Sequence, residues 1–322
     1  MAKKLRRVKQ FQDTTATVRL LIELDKKRKA LRRQLAKERE REHARFLGAV
    51  TRPKQPAGSG NRAAIPTSRR TAIRILADGD SWFNYPVGPH HLPHKDGVIV
   101  QLEPLLGYPI DNIAKPGETA ERLLGLSGRE MLVTRLGNGQ VKYDALLFSG
   151  SGNDFAGDEF CIFLDDSGNS PPPPDKLLNF DAVRGMQAVL TAEFEELIRI
   201  RDNHSPHTVI FVNCYDFPWI GGGGVCRQGP WLKPSLDWTY EALGVANPSL
   251  DDEFKVVKTL LLTLPKLLSD IAANTKKFIV VPTQGTLIPG PSADWQNEMH
   301  PSSNGFAKIA RVFMEQLALQ FP

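Results

Sequence analysis

The sequence predicts an α/β fold built on an open, doubly wound sheet of five parallel strands. From residue 73 onward, short β-branched runs alternate with helical stretches, which is the pattern of βαβ units. In such sheets ligands bind at the carboxyl ends of the strands, so we expect a site there. The predicted strands are 73–77, 109–113, 144–149, 208–214 and 277–282, and the predicted helices are about 98–107, 117–127, 181–202, 251–273 and 302–320.

The N-terminal region is predicted to be helical and separate from this α/β domain. Residues 14–47 contain no Gly or Pro and are rich in Leu, Ala, Glu, Lys and Arg, which favour a long helix. Their apolar stripe, from Val18 to Leu35, lasts only about two heptads, too short to predict a coiled coil. Residues 48–72 mix Pro, Gly, Ser and Arg without periodicity. The predicted domains are a basic helical extension at 1–47, a flexible linker at 48–72, and the α/β domain at 73–322.

The formal net charge of +5 is unevenly distributed along the chain. Residues 1–72 carry 21 Lys and Arg against 6 Asp and Glu, whereas residues 73–322 carry 20 against 30. The basic extension is interpreted as a solvated helix or a segment that docks onto a protein partner, or as an arm for nucleic acid or an anionic membrane surface. The sequence leaves these alternatives open.

The cysteines and the N-terminus indicate a reducing compartment. Cys161, Cys214 and Cys226 form neither a CxxC pair nor an even secretory set. No apolar stretch of signal-peptide length follows the basic start, and no apolar run is as long as a transmembrane helix. A cytoplasmic location is therefore expected, with export by a signal-independent route left open.

Two long insertions interrupt the alternation of strands and helices, at about 156–180 and 215–250. Long segments of this kind are commonly functional walls or lids. Their aromatic residues would either line an apolar pocket or pack beneath the loops, and the sequence favours neither. These residues are Phe160, Phe163, Trp219, Trp231, Trp238 and Tyr240.

Residue types suited to acyl transfer follow the predicted strands. Ser81, Gly117 and Asn153 follow the first three, and His300 lies between the fifth strand and the last helix. A serine hydroxyl attacks a carbonyl once a base removes its proton, and imidazole has the unperturbed pKa for that base. The backbone N–H groups of Ser81 and Gly117 and the side-chain amide of Asn153 would bind the oxyanion. Gly117 has no Cβ, so its N–H is expected to approach closely, at the start of a helix.

Four short motifs follow one another at the ends of the predicted strands. They are GDS at 79–81, NIAKPGET at 112–119, GSGND at 150–154 and MHPSSNGF at 299–306. Together and in this order they resemble the SGNH/GDSL hydrolase family of serine esterases and lipases. The resemblance implies a three-layer αβα sandwich with a flavodoxin-like sheet, a catalytic pair of Ser81 and His300, an oxyanion hole from Ser81, Gly117 and Asn153, and no metal ion or organic cofactor.

The last motif departs from the family pattern, which usually places Asp three residues before the histidine. Asn297 occupies that position here. An aspartate fixes the imidazole tautomer and stabilises the imidazolium, whereas an asparagine can do only the first, through its carbonyl oxygen. Asn297 is the favoured orienting residue and Asp294 the alternative acid, with Glu298 or the backbone carbonyl of Asn297 as further alternatives.

The first motif departs as well, because Trp82 and Phe83 follow the serine where the family often has an aliphatic residue. Their rings would either wall an acyl pocket or seal the turn. The nearby histidines His90, His91 and His94 lie among prolines that disfavour a helix, so they predict a loop at the rim rather than a metal site.

The residues and the resemblance together predict a serine hydrolase that cleaves lipid, acetyl or other acyl esters through an acyl-enzyme on Ser81. One alternative is an acyltransferase or carbohydrate O-deacetylase that uses the same site. An alternative of another class is a protein that docks onto an anionic surface or a partner through the basic helix. The expected partners are therefore an acyl-ester small molecule or lipid, and such a surface or protein.

Overall fold

The computed structural model describes residues 72–87, 94–223 and 229–322, with selected positions between 23 and 48. The chain divides into two compact units, Met1–Arg52 and Pro53–Pro322. In the first unit the described residues have helical backbone, and the His43 ring stacks on Phe46 with ring centroids 6.3 Å apart. The rest of the predicted extension and residues 49–71 of the predicted linker lie outside the described residues.

The second unit contains a parallel sheet whose strand order confirms the predicted fold class. The strands are β1 (Ile75–Gly79), β2 (Tyr85–Val87), β3 (His94–Asp96), β4 (Asp111–Asn112), β5 (Ala145–Ser149), β6 (Val209–Asn213) and β7 (Phe278–Val281). The order across the sheet is β4-β1-β5-β6-β7, and every neighbouring pair is parallel. The chain thus adds β4 on one side of β1 and the later strands on the other, which is the flavodoxin-like order. β2 and β3 form a separate antiparallel pair.

The central strands are buried along their whole length. Every residue of β1, β5 and β6 is buried. Parallel strands that are covered on both faces need apolar side chains on both, which explains why these segments are continuous apolar runs without alternation. The edge strand β7 keeps Ile279 and Val280 half-buried.

Helices cover the sheet and complete the three layers. They are α1 (Val98–Leu106), α2 (Ala120–Leu124), α3 (Leu126–Gly137), α4 (Phe180–His204), α5 (Lys233–Ala242), α6 (Leu250–Leu261), α7 (Thr263–Asn274) and α8 (Ser303–Gln320). α1 packs against α8, whereas α2, α3 and α7 pack against α4. The edge-on contact between Phe83 and Phe313, with centroids 5.6 Å apart, joins the segment after β1 to α8.

The prediction of one helix over 117–127 was wrong. Pro116 and Gly117 form a turn, and α2 begins only at Ala120, because the Thr119 side chain caps the helix by accepting from the Arg122 N–H. α2 ends at Gly125, whose extended backbone separates it from α3. Gly117 therefore does not open a helix.

The prediction of one helix over 251–273 was also wrong, since α6 and α7 meet at Leu262. Pro265 has no N–H, so it cannot donate to the carbonyl oxygen of Leu261 one turn earlier. That oxygen accepts a hydrogen bond of 3.1 Å from the Gln284 side-chain amide instead. A distant side chain thus satisfies the group that the proline leaves open.

The aromatic residues of the insertions are divided between core and surface. Phe160 and Tyr240 are buried, whereas Trp238 is 57% exposed. Residues 224–228, which include Cys226, and residues 88–93, which include His90 and His91, lie outside the described residues.

The free cysteines among the described residues are the exposed Cys161 and the buried Cys214. In the described part of the chain, none of the helices combines the length and the apolar character needed to cross a bilayer.

Candidate active site

Ser81 lies on a tight turn at the carboxyl end of β1. The turn packs closely on β5: a Cβ added at Gly79 would lie 2.6 Å from the carbonyl oxygen of Ser149. The same oxygen accepts a 2.9 Å hydrogen bond from the Asp80 N–H. Any side chain at position 79 would push the two strands apart, so the glycine of the GDS motif is required by this close approach.

The Ser81 hydroxyl and the His300 imidazole are in direct contact. Ser81 Oγ lies 2.8 Å from His300 Nε2, within hydrogen-bond distance. Both residues are buried, at 7% and 8% exposure. The two residues are 219 positions apart in the chain, and the loop between β7 and α8 brings them together.

Asn297 holds the other ring nitrogen of His300. Its Oδ1 lies 2.9 Å from His300 Nδ1 and also accepts a 2.9 Å hydrogen bond from the His300 backbone N–H. Its Nδ2 donates to the Tyr85 hydroxyl over 2.8 Å, which sets the orientation of the amide. Because Oδ1 only accepts, Nδ1 must carry the ring hydrogen and Nε2 is left to accept from Ser81.

Asp294 does not contact the imidazole. Its carboxylate accepts hydrogen bonds from Lys308 Nζ at 2.7 Å, from Asn304 Nδ2 at 2.8 Å and from the Ile288 N–H at 3.0 Å. These partners tie the loop before His300 to the first turns of α8. The structure therefore gives Asp294 a positioning contact with the loop rather than the place of the alternative acid.

Glu298 also points away from the imidazole, into the second insertion. Its buried carboxylate accepts from the backbone N–H groups of Gly221, Trp231, Leu232 and Lys233. It thereby holds the segment that carries Trp231, whose ring meets the His300 ring edge-on with centroids 5.1 Å apart. The alternative that Glu298 is the acid beside His300 is wrong, because its carboxylate binds backbone N–H groups of the second insertion instead.

The surroundings of His300 favour its neutral form. The Tyr85 ring stacks on the imidazole with centroids 4.2 Å apart and an interplanar angle of 21°. Burial lowers the pKa of His300 to about 3, since a charged ring would lose its hydration. At neutral pH the imidazole is therefore uncharged, and its Nε2 lies against the Ser81 hydroxyl.

Gly117 and Asn153 lie with Ser81 and His300 around a cavity of about 270 Å³. Gly117 has φ +73°, and a Cβ added there would meet no atom within 4 Å. The glycine is thus favoured by its backbone conformation, and the approach of its N–H to an oxyanion stays a prediction. Asn153 Nδ2 donates to the Glu118 carbonyl oxygen over 2.9 Å, so the two loops are joined.

A buried network beneath the serine was missed by the sequence analysis. Asp80 Oδ1 accepts from the Trp82 N–H at 2.9 Å and from Ser149 Oγ at 3.0 Å, and Oδ2 accepts from the Tyr215 hydroxyl. Burial raises the pKa of Asp80 to about 6, although these hydrogen bonds oppose the rise. The GDS motif draws attention to Asp80, but no spacing or motif pointed to Tyr215, which comes from the second insertion.

Trp82 and Phe83 have different surroundings. Phe83 is fully buried against α8, so it seals the turn. Trp82 donates from Nε1 to the Met299 carbonyl oxygen over 3.1 Å and lines a second cavity. Among the described residues, no group of His, Cys, Asp and Glu is arranged to hold a metal ion.

Solved structures similar to this chain include proteins described as esterases and lipases. A lipase from a goat rumen metagenome has a TM-score of 0.47 and 14% identity, over 76% of this chain and 96% of that chain. A carbohydrate esterase of family 3 from Clostridium thermocellum has a TM-score of 0.43 and 14% identity, over 78% and 99%. A protein from Parabacteroides merdae described as a GDSL-like lipase has a TM-score of 0.42 and 16% identity, over 78% and 97%.

No protein-family model matches the chain, and no curated protein matches its sequence.

Proposed function

We propose that the protein is a serine hydrolase of the SGNH/GDSL type that cleaves carboxylic esters through an acyl-enzyme on Ser81. The observation that supports this is one continuous hydrogen-bond chain. It runs from Ser81 Oγ to His300 Nε2 over 2.8 Å and from His300 Nδ1 to Asn297 Oδ1 over 2.9 Å. Nucleophile, base and orienting group are then in the order that activates a serine.

In the first half of the reaction, Ser81 Oγ attacks the ester carbonyl while its proton passes to His300 Nε2. The negative charge that develops on the carbonyl oxygen would be bound by the N–H groups of Ser81 and Gly117 and the amide of Asn153. When the tetrahedral intermediate collapses, His300 returns the proton to the leaving alcohol, and the acyl group stays on Ser81.

In the second half, water takes the place of the alcohol. His300 removes a proton from the water as it attacks the acyl-enzyme, and the proton then passes to Ser81 Oγ as the acid leaves. Asn297 keeps the ring hydrogen on Nδ1 throughout, so that Nε2 always faces the reacting oxygen.

The test is covalent labelling together with ester hydrolysis. We expect a fluorophosphonate probe to label the full chain and p-nitrophenyl acetate to be hydrolysed, and both to be lost in Ser81→Ala. Ser170→Ala, which changes an exposed serine of the first insertion, is the matched control and should keep both. Labelling that persists in Ser81→Ala would refute the assignment of the nucleophile.

Transfer of the acyl group to an alcohol or sugar is a second candidate. It is favoured by the size of the cavity of about 270 Å³ at Ser81, which has room for an acceptor larger than water. Adding alcohol acceptors during turnover would divide the product between acid and new ester. A product ratio that ignores the acceptor would rule out transfer.

A further inference from the structure

A second cavity lies beside the one that contains Ser81. Its volume is about 50 Å³, and carbon-rich side chains form most of its wall, including Trp82, Phe155, Leu232, Val257, Leu260 and Leu261. We call it the apolar slot. Ala156 and Met299 line both cavities, and Trp82 directly follows the proposed nucleophile. The slot and the cavity at Ser81 are therefore adjacent and share part of their wall.

The polar groups that border the slot already have partners elsewhere. The Tyr215 hydroxyl donates to Asp80, and Trp82 Nε1 donates to the Met299 carbonyl oxygen. The Asp216 carboxylate accepts from the N–H groups of Gly285 and Leu287, at 2.8 and 2.7 Å. A sugar hydroxyl placed in the slot would lose its hydrogen bonds to water without replacement. A hydrocarbon chain makes no hydrogen bonds with water, so it gives up none in the slot and is stabilised by burial.

The volume of the slot limits the length of such a chain. A site needs about 10–15 Å³ of this volume to hold one water-sized group. The slot of about 50 Å³ therefore holds about three to five such groups. Methylenes beyond that number lie outside the slot and gain no further burial from it.

We infer that the apolar slot binds the acyl chain of the ester, and that its volume suits short acyl chains. This inference rests on the proposed function, because it places the acyl carbon at Ser81. The leaving alcohol then lies in the larger cavity. The specificity for the acyl group is determined by the second insertion and α6, through Leu232, Val257 and Leu261.

The experiment is a series of p-nitrophenyl esters from acetate to dodecanoate, assayed with the full chain. We expect kcat/KM to rise by up to about fourfold for each methylene that enters the slot. The value of kcat/KM should stop rising once about three to five methylenes fill the slot.

Leu261→Ala should move the best chain length upward by about two to three carbons, because it removes a half-buried side chain from the slot wall. Leu262→Ala is the matched control, since the neighbouring leucine is 51% exposed and does not line the slot. Val257→Leu should move the optimum the other way. Because the two variants are expected to shift the optimum in opposite directions, a loss of stability in either one cannot account for both results.

Equal chain-length profiles for wild type, Leu261→Ala and Val257→Leu would overturn the inference, as would a wild-type kcat/KM that keeps rising from hexanoate to dodecanoate. Labelling of Ser81 by the fluorophosphonate distinguishes the two levels. If Ser81 is labelled but the chain-length profile is the same in the variants, only the inference about the apolar slot is refuted. Absence of labelling and of acetate hydrolysis refutes the proposed function and the slot together.

Discussion

The His300 ring is oriented by a neutral amide, and the side chains placed against it in the described structure are uncharged. They are Tyr85, Trp231, Asn297 and Ser81. Together with burial, which lowers the pKa of His300 to about 3, this keeps the imidazole uncharged well into the acid range. In the proposed reaction, the imidazolium would be correspondingly less stabilised than beside a carboxylate.

Asn297→Asp is predicted to raise the pKa of His300, because a carboxylate at Nδ1 stabilises the protonated ring. A base must be deprotonated to act, so the acid limb of kcat/KM, expected near pH 3 in the wild type from the lowered pKa of His300, should move upward. The measurement is the pH profile of p-nitrophenyl acetate hydrolysis. Asn297→Ala should instead lose activity at every pH by about 10²-fold or more. Coincident acid limbs in wild type and Asn297→Asp would contradict the prediction.

Tyr215→Phe is predicted to weaken both stability and turnover. It removes the hydroxyl that donates to Asp80, so the free energy of unfolding should fall by about 1.5–3 kcal/mol. The value of kcat should fall more than KM rises, because the turn that holds Ser81 loses a support. Urea unfolding and steady-state kinetics would measure the two effects.

The stability loss in Tyr215→Phe should also depend on pH. The pKa of Asp80 is already raised to about 6 by burial, and losing a donor raises it further. A carboxyl whose pKa is raised in the folded state favours the folded protein at low pH, and this contribution is lost as pH rises through the raised pKa. The free energy of unfolding of Tyr215→Phe should therefore fall further below that of the wild type at about pH 8 than at about pH 5. Tyr143→Phe removes a hydroxyl bonded to another buried carboxylate, Asp111, and should reduce stability while leaving activity unchanged.

At the scale of elements, the second insertion is fastened to the site through one carboxylate. Glu298 is fully buried, two residues before His300, and holds both Gly221 and the segment 231–233 by their backbone N–H groups. The same segment continues into α5. The position of Trp231 against the imidazole therefore depends on Glu298.

Glu298→Gln is predicted to destabilise this arrangement. The glutamine side chain carries an NH₂ group in place of one carboxylate oxygen, and this donor would face backbone N–H groups that are also donors. The free energy of unfolding should fall by about 2–3 kcal/mol. Glu315→Gln, on the exposed side of α8, is the matched control and should change neither stability nor kinetics. An unchanged Glu298→Gln variant would show that the four hydrogen bonds contribute little.

The strands were predicted more closely than the helices, for a physical reason. A buried strand is an apolar run of a few residues, so local sequence indicates where each of β1, β5 and β6 lies. The break between α6 and α7 depends in part on Gln284, which satisfies Leu261 from another part of the chain. Contacts of that kind have no local signal.

At the scale of the whole molecule, charge is divided between a basic N-terminal region and an acidic α/β region. The role of the basic extension stays a prediction. We expect the full chain to bind phosphatidylserine vesicles and rising salt to weaken that binding. Replacing Lys26 and Lys27 by Glu should reduce binding by about fivefold or more per residue, whereas Lys266→Glu with Lys276→Glu should not. Binding that is indifferent to salt and to both pairs would favour a protein partner or a solvated helix.

Local sequence was enough to predict the fold class and the four positions at the sheet edge. Ser81, Gly117, Asn153 and His300 are all in short motifs or loops that follow apolar runs. Since parallel strands end at the same edge, their alternation with helices is sufficient to bring these residues to one region.

Only the tertiary structure decided which side chains contact one another there. The loop before α8 could have turned either Asn297 or Asp294 toward the imidazole, and packing against Tyr85 and Lys308 selected the first. Tyr215 reaches Asp80 across 135 positions of sequence. Such pairings depend on how loops pack over the finished sheet, because the energy of a contact is available only after distant segments have been brought together.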